Sequence, residues 1–174
     1  MKTLYFLRHA KSDWSNFDLS DHERSLNTRG QRACAKTGQV LRKRGFSPDR
    51  VLCSSAVRAK ETLEAVMLAA ERTWPVTFEP KLYGASADSI LSLIRQQPDT
   101  AASLFLIGHN PGFQDLVMGL AGKEKSEGTL ARIARKMPTA GFAEISFDTD
   151  SFKNIGVGTG LLVDFFKPKD KTIV

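Results

Sequence analysis

Arginine and histidine side chains follow apolar, strand-like runs at three separate points of the chain. Residues 3–7 lead directly into Arg8 and His9, residues 51–55 precede Arg58, and residues 104–108 precede His109. A guanidinium can bind a phosphoryl group in a bidentate manner, and a neutral imidazole is a nucleophile near pH 7 without a metal. These residue types indicate phosphoryl transfer, with His9 or His109 as the nucleophile and Arg8 and Arg58 as a phosphate clamp.

The elements that must position these side chains alternate between strand and helix patterns. Apolar runs predict strands near residues 3–7, 50–54, 76–79, 103–108, 141–147 and 160–166. The last two strands follow one another without an obvious helix between them, so we expect an antiparallel pair at the edge of a mostly parallel sheet. The prediction is a three-layer α/β/α fold, formed by one domain over residues 1–174. In such a sheet, ligands bind beyond the carboxyl ends of the strands, where the three junctions can converge.

Helical spacing of apolar residues predicts four helices between these strands. Thr28 and Gln31 form a candidate capping box for the first helix, and Gly45 can end it. Ser54 or Ser55 can cap the second helix, and the third begins at Ser86. The fourth begins near Asn110, which places His109 beside a helix N-terminus, where anions bind favourably. Residues 123–138 are expected to be irregular or weakly helical.

Composition excludes several classes of protein. The 174 residues, 41% hydrophobic and 25% charged, are ordinary for a globular domain, and no stretch is long and apolar enough for a membrane span. Cys34 and Cys53 have neither metal-type nor disulfide-type spacing, which favours a cytoplasmic protein with reduced thiols. The net charge of +6 favours an anionic partner. Because no recognition module accompanies that charge, we expect neither nucleic acid nor membrane as a partner.

Residues close to the junctions are further candidates for the site. The polar loop over residues 11–28 is longer than a simple connection requires, which favours a functional loop. Lys11 and Ser12 follow His9, and Asn110 follows His109, so we expect these three side chains to contribute to substrate binding. For Lys11, an exposed lysine without a role is an equally good interpretation.

A family resemblance is carried by motifs spread over nearly the whole chain. They are LRHAKSDW at 7–14, then Asp21, Arg24, Leu26, Asn27 and Gly30, SSAVRA at 54–59 with Thr62, and GHN at 108–110. In this order the chain resembles the histidine phosphatase superfamily, and within it the small SixA-like phosphohistidine phosphatases. The match runs from about residue 3 to about residue 166. Ala10 stands where the founding signature Arg-His-Gly has glycine, a departure that SixA-like sequences accommodate.

The resemblance implies a mechanism without metal or cofactor. His9 would be the nucleophile and would form a covalent phosphohistidine that water then hydrolyses. Arg8, Arg58 and His109 would surround the phosphoryl oxygens and stabilise their charge. His9 would have to be neutral, with an unprotonated Nε2, to attack.

The general acid is the residue that the sequence does not identify. Lys81 and Leu82 stand where the mutase-like branch has a glutamate, and Asn110 stands where the acid-phosphatase branch has an aspartate. Asp21 and Glu79 are the remaining candidates, although each can equally be a structural carboxylate. An imidazole leaves a phosphorus–nitrogen bond more readily than an alkoxide leaves a monoester. The missing acid therefore favours phosphohistidine of a signalling protein as the substrate, with a small-molecule or phosphoserine monoester as the alternative.

Two other functions are consistent with parts of the sequence. Cys53 precedes Arg58 with four residues between them, one fewer than the loop of cysteine phosphatases requires, so Cys53 is better interpreted as a small buried residue. A non-catalytic phosphoprotein-binding module would retain the arginines, but it would have little use for a nucleophilic His9. Both alternatives are less consistent with the sequence than a phosphatase.

Overall fold

The apolar runs form a mixed seven-stranded sheet in the computed structural model, which describes residues 1–170. The strands are β1 (Lys2–Arg8), β2 (Arg50–Ser54), β3 (Val76–Glu79), β4 (Ser103–Gly108), β5 (Ala121–Glu124), β6 (Phe142–Phe147) and β7 (Gly160–Phe166). Their order in the sheet is β3-β2-β4-β1-β6-β7-β5. Strand β6 pairs antiparallel with β1 and with β7, and the other pairings are parallel.

Five helices cover the two faces of this sheet. They are α1 (Thr28–Lys43), α2 (Val57–Ala70), α3 (Ala87–Arg95), α4 (Gly112–Leu120) and α5 (Thr129–Arg135). One buried apolar cluster joins α1 and α2 to the sheet, and a second joins α3, α4 and α5 to its opposite face. The predicted three-layer α/β/α architecture with a mostly parallel sheet is therefore confirmed. None of the helices within residues 1–170 has the length and apolar character that a membrane crossing requires.

The sheet order brings the three chemically marked strand ends together. Strand β4 lies between β1 and β2, and all three strands run parallel. Arg8 at the end of β1 is in register with Gly108 of β4, and Cys53 near the end of β2 is in register with Ile107. The residues that follow these strands consequently emerge side by side at one edge of the sheet, as the sequence predicts.

The antiparallel pair β6 and β7 is present, but a further strand lies outside it. Strand β5 extends the sheet beyond β7, in a segment for which the sequence predicts no strand. The sequence of β5, Ala-Gly-Lys-Glu, has low β propensity, so its pairing with β7 depends on tertiary contacts. The following segment forms the short helix α5, which agrees with the weak helical pattern expected there.

Two helix caps differ from the sequence prediction. Asn27 caps α1, because its side chain accepts a hydrogen bond from the Gly30 amide at 2.8 Å, and Thr28 is the first helical residue. The N-cap of α2 is Ala56, not Ser54 or Ser55, and no side chain caps that helix. The predictions for Ser86 and Gly45 are confirmed, since Ser86 caps α3 and Gly45 adopts a positive φ of 63° after α1.

The start of α1 packs tightly against the loop that follows the first strand. A Cβ atom on Gly30 would lie 2.3 Å from the carbonyl oxygen of Lys11, which is a rigid backbone atom. The backbone amide of Asn27 also donates to this carbonyl at 3.0 Å. Gly30 therefore allows helix α1 to approach the segment that immediately follows His9.

We expect Gly30→Ala to lower the free energy of unfolding by about 2 kcal/mol, because the added methyl group must displace backbone. Urea denaturation of the wild type and the variant measures this difference. Gly119→Ala in α4 is the matched control, since a Cβ there meets no atom within 4 Å and alanine favours helix. Equal stability of the two variants would contradict the close approach at Gly30.

Candidate active site

His9 lies directly after β1 with its ring held in one tautomer. Its Nδ1 lies 2.8 Å from the carbonyl oxygen of Ala10, and a carbonyl can only accept, so Nδ1 carries the proton. Nε2 is consequently unprotonated, and it accepts a hydrogen bond from Nε of Arg58 at 3.3 Å. The residue is 8% exposed. An imidazole with an unprotonated Nε2 is the form that can attack phosphorus once this hydrogen bond from Arg58 is released.

Arg58, in the first turn of α2, connects most of the polar groups in the site. Besides His9, its guanidinium contacts Nδ1 of His109, with 3.4 Å between Nη2 and that nitrogen. Nη1 donates to the Asp21 carbonyl at 2.6 Å, and Nη2 donates to the Asp21 carboxylate at 3.0 Å. The backbone carbonyl of Arg58 accepts from the Thr62 hydroxyl, which in turn accepts from the amide of Ala10. Helix α2 and the end of β1 are therefore fixed to each other at the site.

His109 faces His9 from the end of β4. The ring centroids of the two imidazoles are 5.0 Å apart. Nε2 of His109 lies 2.7 Å from Oγ of Ser54, a residue with no exposed surface. Because the guanidinium of Arg58 can only donate, it requires an acceptor at Nδ1, so the neutral ring holds its proton on Nε2 and donates to Ser54. Ser54 thus orients the second histidine.

Arg8 and Asn110 share one backbone acceptor. Nη1 of Arg8 and Nδ2 of Asn110 each donate to the carbonyl oxygen of Met137 at 3.0 Å. The amide of Asn110 also bonds Gln114 in α4. Asn110 therefore joins the start of α4 to the segment after α5, and its role in substrate binding stays a prediction. Nε of Arg8 is buried and has no hydrogen-bond partner within the described residues.

Burial and positive charge keep both histidines neutral. Burial is the main cause that lowers the pKa of His9 to about 4, and the charges of Arg58 and Arg8 add to it. Burial, then the neighbouring His9 and Arg58, lower the pKa of His109 to about 3. Burial and the Arg58 charge also lower the pKa of Arg8 from its ordinary value. A phosphoryl dianion bound here would stabilise the cationic form of each of these groups.

The loop after His9 places Asp21 at the mouth of the site. Its carboxylate accepts hydrogen bonds from the Tyr83 hydroxyl at 2.7 Å and from Arg58 at 3.0 Å. The bond from Tyr83 and the charge of Arg58 lower the pKa of Asp21. Asp21 is therefore ionised at neutral pH, and it would have to take up a proton before it could act as an acid. The loop over residues 11–28 does reach the site, as expected of a functional loop.

The second candidate acid, Glu79, lies at the end of β3. Its carboxylate accepts a hydrogen bond from the Lys81 amide at 2.9 Å and caps the short 3-10 turn Pro80–Leu82. Among the described residues, no hydrogen bond joins Glu79 to His9, Arg58 or His109. Its role as an acid stays a prediction.

The remaining candidates occupy three different environments. Lys11 is exposed and lies in a basic cleft together with Arg8. Ser12 is buried, and it forms an isolated antiparallel bridge with Leu26 that closes the base of the loop. Cys53 has no exposed surface, and burial raises the pKa of its thiol to about 12, as expected of a small buried residue and not of a nucleophile.

The structure adds three residues for which the sequence predicts no role in the site. Ser54 contacts His109, Thr62 links Ala10 to Arg58, and Tyr83 contacts Asp21. Thr62 had a detectable signal, since a hydroxyl four residues after Arg58 lies on the same helical face. Ser54 and Tyr83 had no comparable signal, because their contacts depend on how strands and loops meet in space.

Comparison with known proteins agrees with this geometry. Residues 4–90 match the model of the histidine phosphatase superfamily (branch 1). An uncharacterised protein of Mycobacterium tuberculosis, Rv1276c, is 32% identical over 164 residues, which cover 94% of this chain and 100% of that protein. The chain belongs to the histidine phosphatase superfamily.

Two solved structures share the fold over nearly their whole length. The putative phosphohistidine phosphatase SixA from Agrobacterium tumefaciens has a TM-score of 0.80 and 28% identity, covering 96% of this chain and 98% of that one. The putative phosphohistidine phosphatase SixA from Nakamurella multipartitia has a TM-score of 0.82 and 26% identity, covering 97% of each chain. The site described above therefore lies in a SixA-like structure.

We expect the imidazoles of His9 and His109 to stay neutral well below pH 6.5 in the free protein, because burial and the arginine charges oppose protonation. Long-range ¹H–¹⁵N NMR spectra recorded from pH 8 to pH 4.5 measure this directly. His9 should keep a protonated Nδ1 and an unprotonated Nε2 from pH 8 to about pH 5, and it should be only partly protonated at pH 4.5 because its pKa is about 4. Titration of His9 near pH 6.5 would contradict the described environment.

We expect Ser54→Ala to lower kcat about fivefold, because His109 loses the hydrogen bond that orients its ring, a bond worth roughly 1 kcal/mol. Because Arg58 still donates to Nδ1, the Nε2–H tautomer of His109 should persist, and the NMR shifts of Nε2 and its proton should change as the bond to Ser54 is lost. Ser55→Ala is the matched control, since the Ser55 hydroxyl contacts His22 and not His109. Unchanged chemical shifts of the His109 Nε2–H group in Ser54→Ala would mean that Ser54 does not position His109.

Proposed function

We propose that this chain is a metal-independent phosphohistidine phosphatase that acts through a covalent phosphohistidine on His9. The observation that carries the proposal is the unprotonated Nε2 of His9, which lies 3.3 Å from Nε of Arg58. A nucleophile and a phosphate-binding cation are thereby held at one point. A module that merely binds phosphate would need the charge of Arg58, but it would not need an unprotonated Nε2 on His9.

The reaction that fits these groups has two displacement steps. Nε2 of His9 attacks phosphorus, the bond from phosphorus to the substrate imidazole breaks, and the leaving nitrogen takes up a proton. Water then attacks the phosphoryl group on His9, and inorganic phosphate leaves while the imidazole is regenerated. Arg8, Arg58 and His109 stabilise the charge on the phosphoryl oxygens in both steps.

The state of Asp21 supports phosphohistidine over an ordinary monoester. A monoester releases an alkoxide, which requires a protonated acid close to the leaving oxygen. Asp21 is held ionised by Tyr83 and Arg58, and Glu79 caps a turn. An imidazole can be protonated by solvent before the bond breaks, so its departure does not depend on either carboxyl group. The two SixA neighbours, described as putative phosphohistidine phosphatases, agree with this choice.

The proposed partner is a phosphohistidine-bearing signalling protein in the cytoplasm. Cys34 and Cys53 are buried and unpaired, which fits a reducing compartment. The charge of +6 favours encounter with an anionic partner.

We expect brief exposure to a labile phosphodonor, such as phosphoramidate, to label His9. The label should be stable in base and labile in acid, and His9→Ala should lose it together with turnover by about 10³-fold or more. Cys53→Ser is the control and should retain the label. Turnover of a phosphohistidine protein should exceed that of phosphoserine peptides and sugar phosphates by at least about tenfold in kcat/KM.

Two results would overturn the proposal in different ways. Equal or faster turnover of the monoesters would replace the substrate but leave the His9 mechanism. Tight binding of phosphate without any label on His9 would instead identify a binding module.

A further inference from the structure

A basic cleft of about 630 Å³ opens beside the catalytic arginine Arg8. Twelve residues line it, among them Arg8, Arg29, Arg32, Lys36, Lys136 and Lys169. They come from the end of β1, one face of α1, the segment after α5 and the segment after β7. Eight of the twelve are lysine or arginine, and no acidic residue is among them.

The cations of the cleft have no acidic partners. Within residues 1–170, none of these eight side chains forms an ion pair. Elsewhere on the surface, some arginines are paired, as Arg42 is with Glu71 and Arg132 is with Asp170. The absence of partners in one concave region concentrates positive potential there.

Helix α1 supplies three of these charges at a spacing that costs stability. Arg29, Arg32 and Lys36 follow one another at three and four residues, so they lie on the same helical face. Like charges at this spacing repel one another. An anion that contacts several of them relieves this repulsion, and a multivalent anion relieves it most.

The lining narrows the chemistry of that anion. No aromatic side chain is present on which a nucleobase could stack. The apolar side chains of the lining are an alanine and two prolines, and the remaining apolar surface belongs to the alkyl portions of other side chains, so a hydrophobic group would lie beside cationic groups. The volume is that of a small-molecule site. Phosphate groups joined in a short chain or carried on a small polar scaffold fit both the charge and the size.

We propose that this cleft binds a small polyphosphorylated anion, with one phosphate on Arg8 and the others on the cations of α1 and of residues 167–169. Because Arg8 also belongs to the phosphate clamp, such a ligand competes with the phosphoryl group of the substrate. This site is additional to the phosphohistidine activity, and its occupancy requires no turnover.

Isothermal titration calorimetry with orthophosphate and with inorganic tripolyphosphate, in buffer free of divalent cations, tests the proposal. Tripolyphosphate should bind at least about tenfold more tightly than orthophosphate, since it reaches cations beyond Arg8. The double variant Arg32→Glu/Lys36→Glu should lose most of this difference and keep its affinity for orthophosphate within about twofold. The double variant Lys136→Glu/Lys169→Glu, whose substitutions lie outside the helices, should also lose most of the difference in affinity between the two anions.

A control separates the cleft from the general charge of the protein. Lys43→Glu/Arg72→Glu changes the net charge by the same amount at exposed positions that do not line the cleft. An equal loss of tripolyphosphate affinity in this control would overturn the proposal, and so would equal affinities of the two anions for the wild type. A tetraglutamate peptide that competes with tripolyphosphate and binds as tightly would reassign the cleft to an acidic peptide partner. Each of these results is obtained without phosphatase turnover, so failure of the proposed function would not affect them.

Discussion

The guanidinium of Arg58 is the group on which the arrangement of the site depends. It donates to His9, contacts His109 and forms an ion pair with Asp21, so it joins the ends of two strands to the loop that covers them. Its charge also opposes protonation of both imidazoles, which lie in surroundings that already disfavour a cation. One side chain thus positions His9 and helps to keep its imidazole neutral. Arg58 is itself 7% exposed and held by α2, which makes this contact pattern rigid.

The fold serves this group by fixing the ends of adjacent parallel strands. The amide of His9 donates to the carbonyl of Gly108 at 2.9 Å, so His9 is tied to the strand that leads into His109. On the other side, the amide of Ala140 lies 3.0 Å from the carbonyl of Arg8 and 3.2 Å from that of His9. Ala140 makes these contacts with a φ of 58°, a left-handed conformation that alanine adopts only when its surroundings require it. The backbone of Arg8 and His9 is therefore held by hydrogen bonds from both sides.

Much of the site was predictable from the sequence because it depends on local patterns and on a topological rule. Arg8, His9, Arg58 and His109 each follow a strand, and parallel strands deliver such residues to one edge. The pairing of Ser54 with His109 was not predictable, because a serine at the start of a helical segment is also a good helix cap. Here the buried ring of His109 competes for that hydroxyl, and Ala56 takes the cap position instead. Strand β5 was not predicted either, because it is stabilised by its pairing with β7 and not by the β propensity of its own residues.

The basic cleft could not be predicted from the sequence either, because its eight cations come from four segments that are distant in sequence. One of these cations, Arg8, lies both in the cleft and in the site that contains Arg58. Its burial and the charge of Arg58 lower the pKa of Arg8. An anion bound in the site or in the cleft therefore stabilises the charged form of Arg8. It also offsets the repulsion between the guanidinium groups of Arg8 and Arg58. Two separate monoanions would each gain part of this stabilisation, whereas one chain of linked phosphates gains it without a second loss of translational freedom. The electrostatics of these cations thus favour a ligand that extends from Arg8 into the cleft.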